Sequence, residues 1–267
     1  MKYKQWNRAA SAPQARAAME AAGVPPLAAL TLCARGLDTP EKASAFLDAG
    51  RGQLLDPFLM KDMDRAAARV RRALAAGEHI AVYGDYDVDG ITSTCLLTDF
   101  LRREGGTVIP YIPDRMEEGY GLNREAVAAL RGQGVGLIVT VDCGIACKAE
   151  AAAVVEAGLG LAITDHHEPV DLVPEGVPVA DPKCDANCPS SILAGVGVAL
   201  KLVQVLGGRL GQPHLWRDFT DFATLGTVAD LMPMRDENRA LVSDGIARMN
   251  AAPRPCIAAL LATSGAA

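Results

Sequence analysis

At 267 residues, with 50% hydrophobic and 22% charged content, the chain has the length for one large domain or two small ones and the apolar mass for a full core. That excludes an intrinsically disordered, collagen-like or disulfide-scaffold protein. The formal charge of −6 leaves no chain-wide basic field to hold polyanions, so any nucleic-acid contact must be local or metal-mediated.

Met1-Lys2-Tyr3-Lys4-Gln5-Trp6 lacks the apolar core of a signal peptide, and no apolar run approaches the roughly 18 residues of a membrane span. Seven scattered cysteines, an odd number, read as reduced thiols, and the expected location is the cytoplasm. The first 77 residues read as helical. Thr39-Pro40-Glu41 supplies an N-cap, a proline at the first helical position and an acid in the first turn. From Lys61 to Ala76 the apolar residues Met63, Ala66, Ala67, Val70, Ala73 and Leu74 recur at helical spacing, and Gly77 provides a stop.

After Gly77, short apolar runs alternate with helical patterns. Strands are expected at His79–Tyr83, Thr107–Ile112, Gly136–Val141 and Leu161–Thr164, and helices at Ile91–Arg103, Asn123–Arg131 and Cys147–Ala157. This alternation predicts an α/β fold, a mainly parallel sheet flanked by helices. The Pro-rich stretch Glu168–Ser190 reads as a long, substrate-facing loop, and the remainder from about Ser191 as mostly helical. The expected organisation is an N-terminal helical extension over 1–77, an α/β core over 78–235 and a C-terminal helical segment over 236–267.

Three of the expected strands run into acids or histidines: Asp85, Asp87 and Asp89 after the first, Asp142 after the third, and Asp165-His166-His167 after the fourth. The carboxyl ends of parallel strands form the ligand crevice, so these residues converge there. A crowd of carboxylates and imidazoles is unfavourable without a cation at its centre. Carboxylate oxygens with imidazole suit Mn²⁺ or Mg²⁺, and the alternation of Asp85, Asp87 and Asp89 with a bridging Asp142 suits two ions. A calcium loop is disfavoured because Leu96 stands at its twelfth position, where a Glu is needed. Zinc is weakly signalled by Cys143/Cys147 and Cys184/Cys188, and any single aspartate here could be an ordinary helix cap. Ser93, near a helix N-terminus, with Arg115 and Lys183 in loops beside strand ends, are candidates for phosphate contact, and Tyr120 for base stacking. His79 and His214 carry no partner motif and read as structural.

The strings Tyr83-Gly84-Asp85-Tyr86-Asp87-Val88-Asp89-Gly90, Val141-Asp142-Cys143-Gly144, Asp165-His166-His167 and Gly226-Thr227-Val228-Ala229-Asp230 resemble the four motifs of the DHH phosphoesterase superfamily. The chain is most similar to its RecJ-type single-strand-specific exonuclease branch, as are Asp56–Met63, Glu118–Asn123 and Leu193–Ala199. The resemblance implies a dinuclear Mn²⁺ or Mg²⁺ site that hydrolyses single-stranded DNA from its 5′ end, in DNA repair and recombination. By motif, Asp87, Asp89, Asp142, His166 and Asp230 look like metal ligands, with Asp85 replacing a histidine of other branches. His167 looks like the phosphate-facing or proton-handling group, with Asp165 fixing its imidazole. Similar exonucleases continue into a second domain and an oligonucleotide-binding barrel, so a truncated catalytic portion is expected. A small-substrate phosphodiesterase and a non-catalytic binding module of the same fold are the alternatives.

Overall fold

The computed structural model describes residues 12–265; the N-terminal hexapeptide considered above lies outside them. The chain divides into two compact units, Met1–Gln53 and Leu54–Ala267. In the first, helices α1 (Pro13–Ala21), α2 (Pro26–Ala34) and α3 (Pro40–Asp48) each carry a proline in the first turn, where its missing N–H costs no helical bond. Thr39 caps α3 as the sequence predicts, its Oγ accepting from the Lys42 N–H at 3.3 Å. Met19, Ala29, Leu32 and Ala43 make the small core of this unit.

The second unit begins at Leu54, before the helix α4 (Met63–Ala76), whereas the expected N-terminal extension runs on through Gly77. The reason is packing: Met63, Ala66, Ala67, Val70 and Ala73 are buried in the main core with the sheet. There follow β1 (His79–Tyr83), α5 (Val88–Arg103), β2 (Val108–Tyr111), α6 (Arg124–Gly132), β3 (Val135–Val141), α7 (Lys148–Glu156), β4 (Gly160–Thr164) and β5 (Val179–Ala180). The sheet is five-stranded and parallel, in the order β2-β1-β3-β4-β5. One face is covered by α4, α5 and α8 (Gly195–Arg209), the other by α6 and α7. With both faces covered, the central strands read as continuous apolar runs instead of alternating ones.

The stretch Glu168–Ser190 is less structureless than expected: Val179–Ala180 adds the edge strand β5 beside β4. Two residues are too short to carry a strand pattern. The C-terminal helices α9 (Thr220–Ala229), α10 (Asp236–Ala251) and α11 (Pro255–Ser264) close the unit. Arg254 ties them to α5, pairing with Asp221 at 2.7 Å and Asp99 at 2.8 Å over the rings of Phe219 and Phe222. No helix among the described residues is long and apolar enough to cross a membrane.

Candidate metal centre

The first strand β1 is flanked by β2 on one side and β3 on the other, so the direction of winding switches between β1 and β3, where a crevice opens at the carboxyl ends. Tyr83 is in register with Thr140, and Val141 with Thr164. The turns that follow therefore deliver Asp85, Asp142 and Asp165 to one edge. Asp142 leaves β3 with φ +60°, a left-handed conformation that Asp tolerates better than most residues and that costs of order 1–3 kcal/mol. It turns the carboxylate into the crevice, where it is 1% exposed.

Both carboxylate oxygens of Asp142 are buried without a hydrogen-bond partner. Facing Oδ1 at 3.1 Å is Nε2 of His166. The other ring nitrogen, Nδ1, lies 3.1 Å from the carbonyl oxygen of Leu193, which can only accept, so Nδ1 carries the proton and Nε2 turns its lone pair toward the acids. The same Nε2 is 3.7 Å from Asp89 Oδ2 and 3.7 Å from Asp230 Oδ2. Three groups of potential ligand atoms gather within 4.8 Å of one another: Asp85, Asp87 and Asp142; Asp89, His166 and Asp230; and Asp142, His166 and His167. Asp142 and His166 each belong to two of these groups. No cysteine joins them among the described residues.

The electrostatics of this arrangement call for positive charge. Burial, reinforced by Asp89, Asp87, Asp165 and Asp85, pushes the Asp142 carboxyl up to about 11. Burial also raises Asp89 to about 7, against the pull of two backbone N–H groups. Burial and the neighbouring His167 lower His166, keeping its imidazole neutral. Orphaned carboxylate oxygens and a bare imidazole nitrogen facing one another fit divalent cations with oxygen and nitrogen ligands.

Local sequence explains how the loop after β1 serves this site. Asp87 caps α5, its Oδ1 accepting from the Gly90 N–H at 2.9 Å, so the helix starts at Val88, three residues earlier than expected. Asp85 accepts from the Tyr86 N–H at 2.7 Å, and burial raises its carboxyl. Asp89 is gripped by the N-terminus of α8, its Oδ2 accepting from the Gly195 N–H at 2.6 Å and its Oδ1 from the Val196 N–H at 2.9 Å. That approach requires glycine. A Cβ on Gly195 would stand 2.4 Å from Asp142 Oδ1, and one on Gly226 would stand 2.5 Å from Asp89 Oδ1.

Asp165 and His167 form a second motif at the same edge. Asp165 Oδ1 lies 2.7 Å from His167 Nδ1, and its carboxylate also accepts from the N–H groups of Ile145 (2.8 Å) and His166 (2.7 Å). Burial pulls Asp165 upward, but the His167 bond and charge and these N–H groups outweigh it and hold it below the usual carboxylate range. Reciprocally, the hydrogen bond from His167 to Asp165 raises the imidazole against its burial.

The structure separates the four substrate candidates. Tyr120 comes to the rim, its hydroxyl 3.3 Å from His167 Nδ1 and its ring edge-on to that of His167. Its loop is fastened by Glu118, which accepts from Tyr111 Oη at 2.5 Å and from Asn123 Nδ2 at 3.1 Å. Arg115 is exposed, its guanidinium 4.9 Å from the Tyr86 ring centre. Lys183 pairs with Glu168 at 3.1 Å, close enough for its charge to act on both histidines. Ser93, by contrast, is buried inside α5 with an unpartnered Oγ. The early helix start puts it in the second turn, where its N–H no longer belongs to the free helix end, so it is not presented to a substrate.

Sequence reasoning missed Asp181. It follows β5 at the same sheet edge, fully buried, with burial raising its carboxyl to about 7 and Oδ2 unpartnered. The only local trace is that the apolar run Val177-Pro178-Val179-Ala180 ends in this acid, and the two-residue β5 within it is too short to read as a strand.

Comparison with known proteins gives this geometry a lineage. A curated relative, the single-stranded-DNA-specific exonuclease RecJ of Bacillus subtilis (strain 168), is 43% identical over 244 residues, which is 91% of this chain and 30% of the relative. The crystal structure of RecJ in complex with Mn²⁺ from Thermus thermophilus superposes with a TM-score of 0.75 at 36% identity, covering 89% of this chain and 33% of that one. The Mg²⁺ complex of the Thermus thermophilus RecJ gives a TM-score of 0.63 at 32% identity, covering 89% and 30%. The chain thus spans about a third of the length of the relatives it matches. Residues 79–227, from β1 through the Gly226-Thr227 turn of α9, match the N-terminal domain of the DHH family, and the chain belongs to that family.

Proposed function

We propose that this chain is the catalytic portion of a metal-dependent exonuclease that degrades single-stranded DNA from its 5′ end, acting in the cytoplasm in DNA repair and recombination. The observation that carries this reading is the buried Asp142 carboxylate, both oxygens unpartnered, facing the bare Nε2 of His166 between two further groups of acids. Asp85, Asp87, Asp89, Asp142, His166 and Asp230 would hold two Mn²⁺ or Mg²⁺ ions. Bound there, the ions supply Lewis-acid polarisation of a phosphodiester and activation of the attacking water.

The chain's own residues do the positioning. The N-terminus of α8 fixes Asp89 through two N–H bonds, and Leu193 fixes the ring and tautomer of His166, so the ligand atoms are set before any ion arrives. Asp165 holds His167 by Nδ1, which favours its protonated form and leaves Nε2 to donate to a phosphate oxygen as negative charge builds there. Tyr120 and Arg115 stand at the rim, where an aromatic face and a guanidinium suit a base and a phosphate. The single-strand specificity named for the relatives at 43% and 40% identity supports DNA single strands over a small-substrate phosphodiesterase.

The test is digestion of end-labelled strands with Mn²⁺, comparing single-stranded DNA, duplex, RNA and dinucleotides. Mononucleotide release from the 5′ end of single-stranded DNA is the expected result. Cleavage confined to dinucleotides would overturn the reading.

A further inference from the structure

At the amino ends of β4 and β5, on the opposite edge of the sheet from the acids, the second unit carries a pocket of about 430 Å³. Four arginines of α4, Arg65, Arg69, Arg71 and Arg72, form one wall, and no acid lines the pocket. Its apolar lining consists of the buried Leu159, Leu161 and Val177, the half-buried Pro178 and the exposed Val155 of α7. Two of these arginines are paired with acids outside the lining, so in a chain of formal charge −6 the free positive charge here comes from Arg71 and Arg72.

The wall is held in place. Arg69 makes a forked pair with Glu78, at 2.7 and 3.2 Å, and reaches the Gly136 carbonyl at 3.5 Å. Its guanidinium lies directly over Gly160, where a Cβ would stand 2.4 Å from Nη2. Arg65 is anchored to Asp62 at 2.9 Å. Arg71 and Arg72 are exposed, with no ion pair to any described residue, and remain available to a ligand.

We propose that this pocket is a binding site for a nucleoside phosphate, separate from the metal centre. Planar guanidinium forks match phosphate oxygens, and the volume lies in the range of small-ligand sites. Inorganic phosphate alone would leave Val155 and Pro178 in water, whereas a base laid against them covers them. β4 spans about 16 Å between this pocket and Asp165, so a ligand here does not reach the reacting centre. The proposal does not rest on the catalytic reading.

The experiment is calorimetric titration of the full chain in EDTA, which removes metal-dependent binding at the other edge. The titrants are deoxyadenosine 5′-monophosphate, inorganic phosphate, a short oligothymidylate and a glutamate-rich peptide. The mononucleotide should bind at one site, with inorganic phosphate at least about tenfold weaker. The R71A/R72A double variant and, separately, V155E should each weaken mononucleotide binding by about tenfold or more. Both changes are at exposed positions and leave the core intact, and circular dichroism checks this. Equal binding of the acidic peptide would reduce the site to plain charge and overturn the proposal. Binding of the oligonucleotide without the mononucleotide, or mononucleotide binding indifferent to both variants, would overturn it too.

Discussion

Nε2 of His166 faces Oδ1 of Asp142 across 3.1 Å, although the ring's proton is committed to the Leu193 carbonyl on its other side and neither Asp142 oxygen has a donor. Two lone-pair-bearing atoms at that separation repel unless a proton or a cation lies between them. The requirement ties together the electrostatics, the ligand set and the stability of this molecule.

Asp142→Asn should abolish Mn²⁺-dependent hydrolysis, with a loss of at least about a hundredfold, because it replaces the shared carboxylate by a neutral amide. Asn also tolerates the left-handed backbone there, so the fold is spared. In EDTA the variant should melt at or above the parent temperature, since a buried, crowded acid has been removed. A parent-like rate with Mn²⁺ would refute the shared-ligand assignment.

Metal-free stability should fall as pH rises. Burial raises Asp89 to about 7 and Asp142 to about 11 in the folded state, above the ordinary carboxylate value near ~4 of the unfolded chain. The native state then holds more protons than the unfolded state above that pH, so the slope of unfolding free energy with pH is negative. The contribution is complete below about pH 4 and is lost through about pH 7 for Asp89, with Asp142 extending the loss beyond. Mn²⁺ replaces those protons and should bind more tightly as pH increases. Urea unfolding between pH 5 and 8, in EDTA and in saturating Mn²⁺, checks both signs; a metal-free curve that rises with pH over the upper part of that range contradicts them.

Gly195→Ala and Gly226→Ala should each weaken Mn²⁺ binding and cost about 1–3 kcal/mol, because the added methyl meets Asp142 and Asp89 inside 2.6 Å. Gly208→Ala supplies the contrast within α8. Nothing lies within 4 Å of a Cβ there, and replacing a helical glycine should stabilise by roughly 0.5–1 kcal/mol. Chemical unfolding with and without Mn²⁺ separates the three variants.

His167→Ala should lower turnover by about a hundredfold or more while leaving much of the Mn²⁺-induced rise in melting temperature. The acids and His166 that account for most of the ligand atoms remain in place. Loss of metal binding together with activity would move His167 from proton handling to the ligand set.

Lys201 and Glu237 pair at 2.7 Å with side chains 4% and 0% exposed, and together they hold the backbone of Leu55. Lys201→Met leaves an uncompensated buried carboxylate and should cost about 3–5 kcal/mol. Adding Glu237→Leu should recover much of that loss. A double variant as unstable as the single one would show that the pair matters by shape and not by charge.

The individual strands and several of the crevice acids were legible from local residue patterns. Apolar periodicity located β1, β3 and β4 to within a residue, and Asp142 and the Asp165-His166-His167 run were legible as crevice residues because each directly follows a strand. These signals are local, carried by residues that touch through the backbone they share. Tertiary structure alone decided the strand order, the edge strand that delivers Asp181, and the bond from the N-terminus of α8 to Asp89 across 106 positions. Asp230, at the end of α9, gave no signal of spacing, yet packing brings it to 3.7 Å from His166. Ser93 carried the opposite error, since it was legible as helical but neither its second-turn position nor its burial was. Which oxygen meets which nitrogen depends on how whole helices settle on the sheet, a sum of many weak contacts that no short window of residues contains.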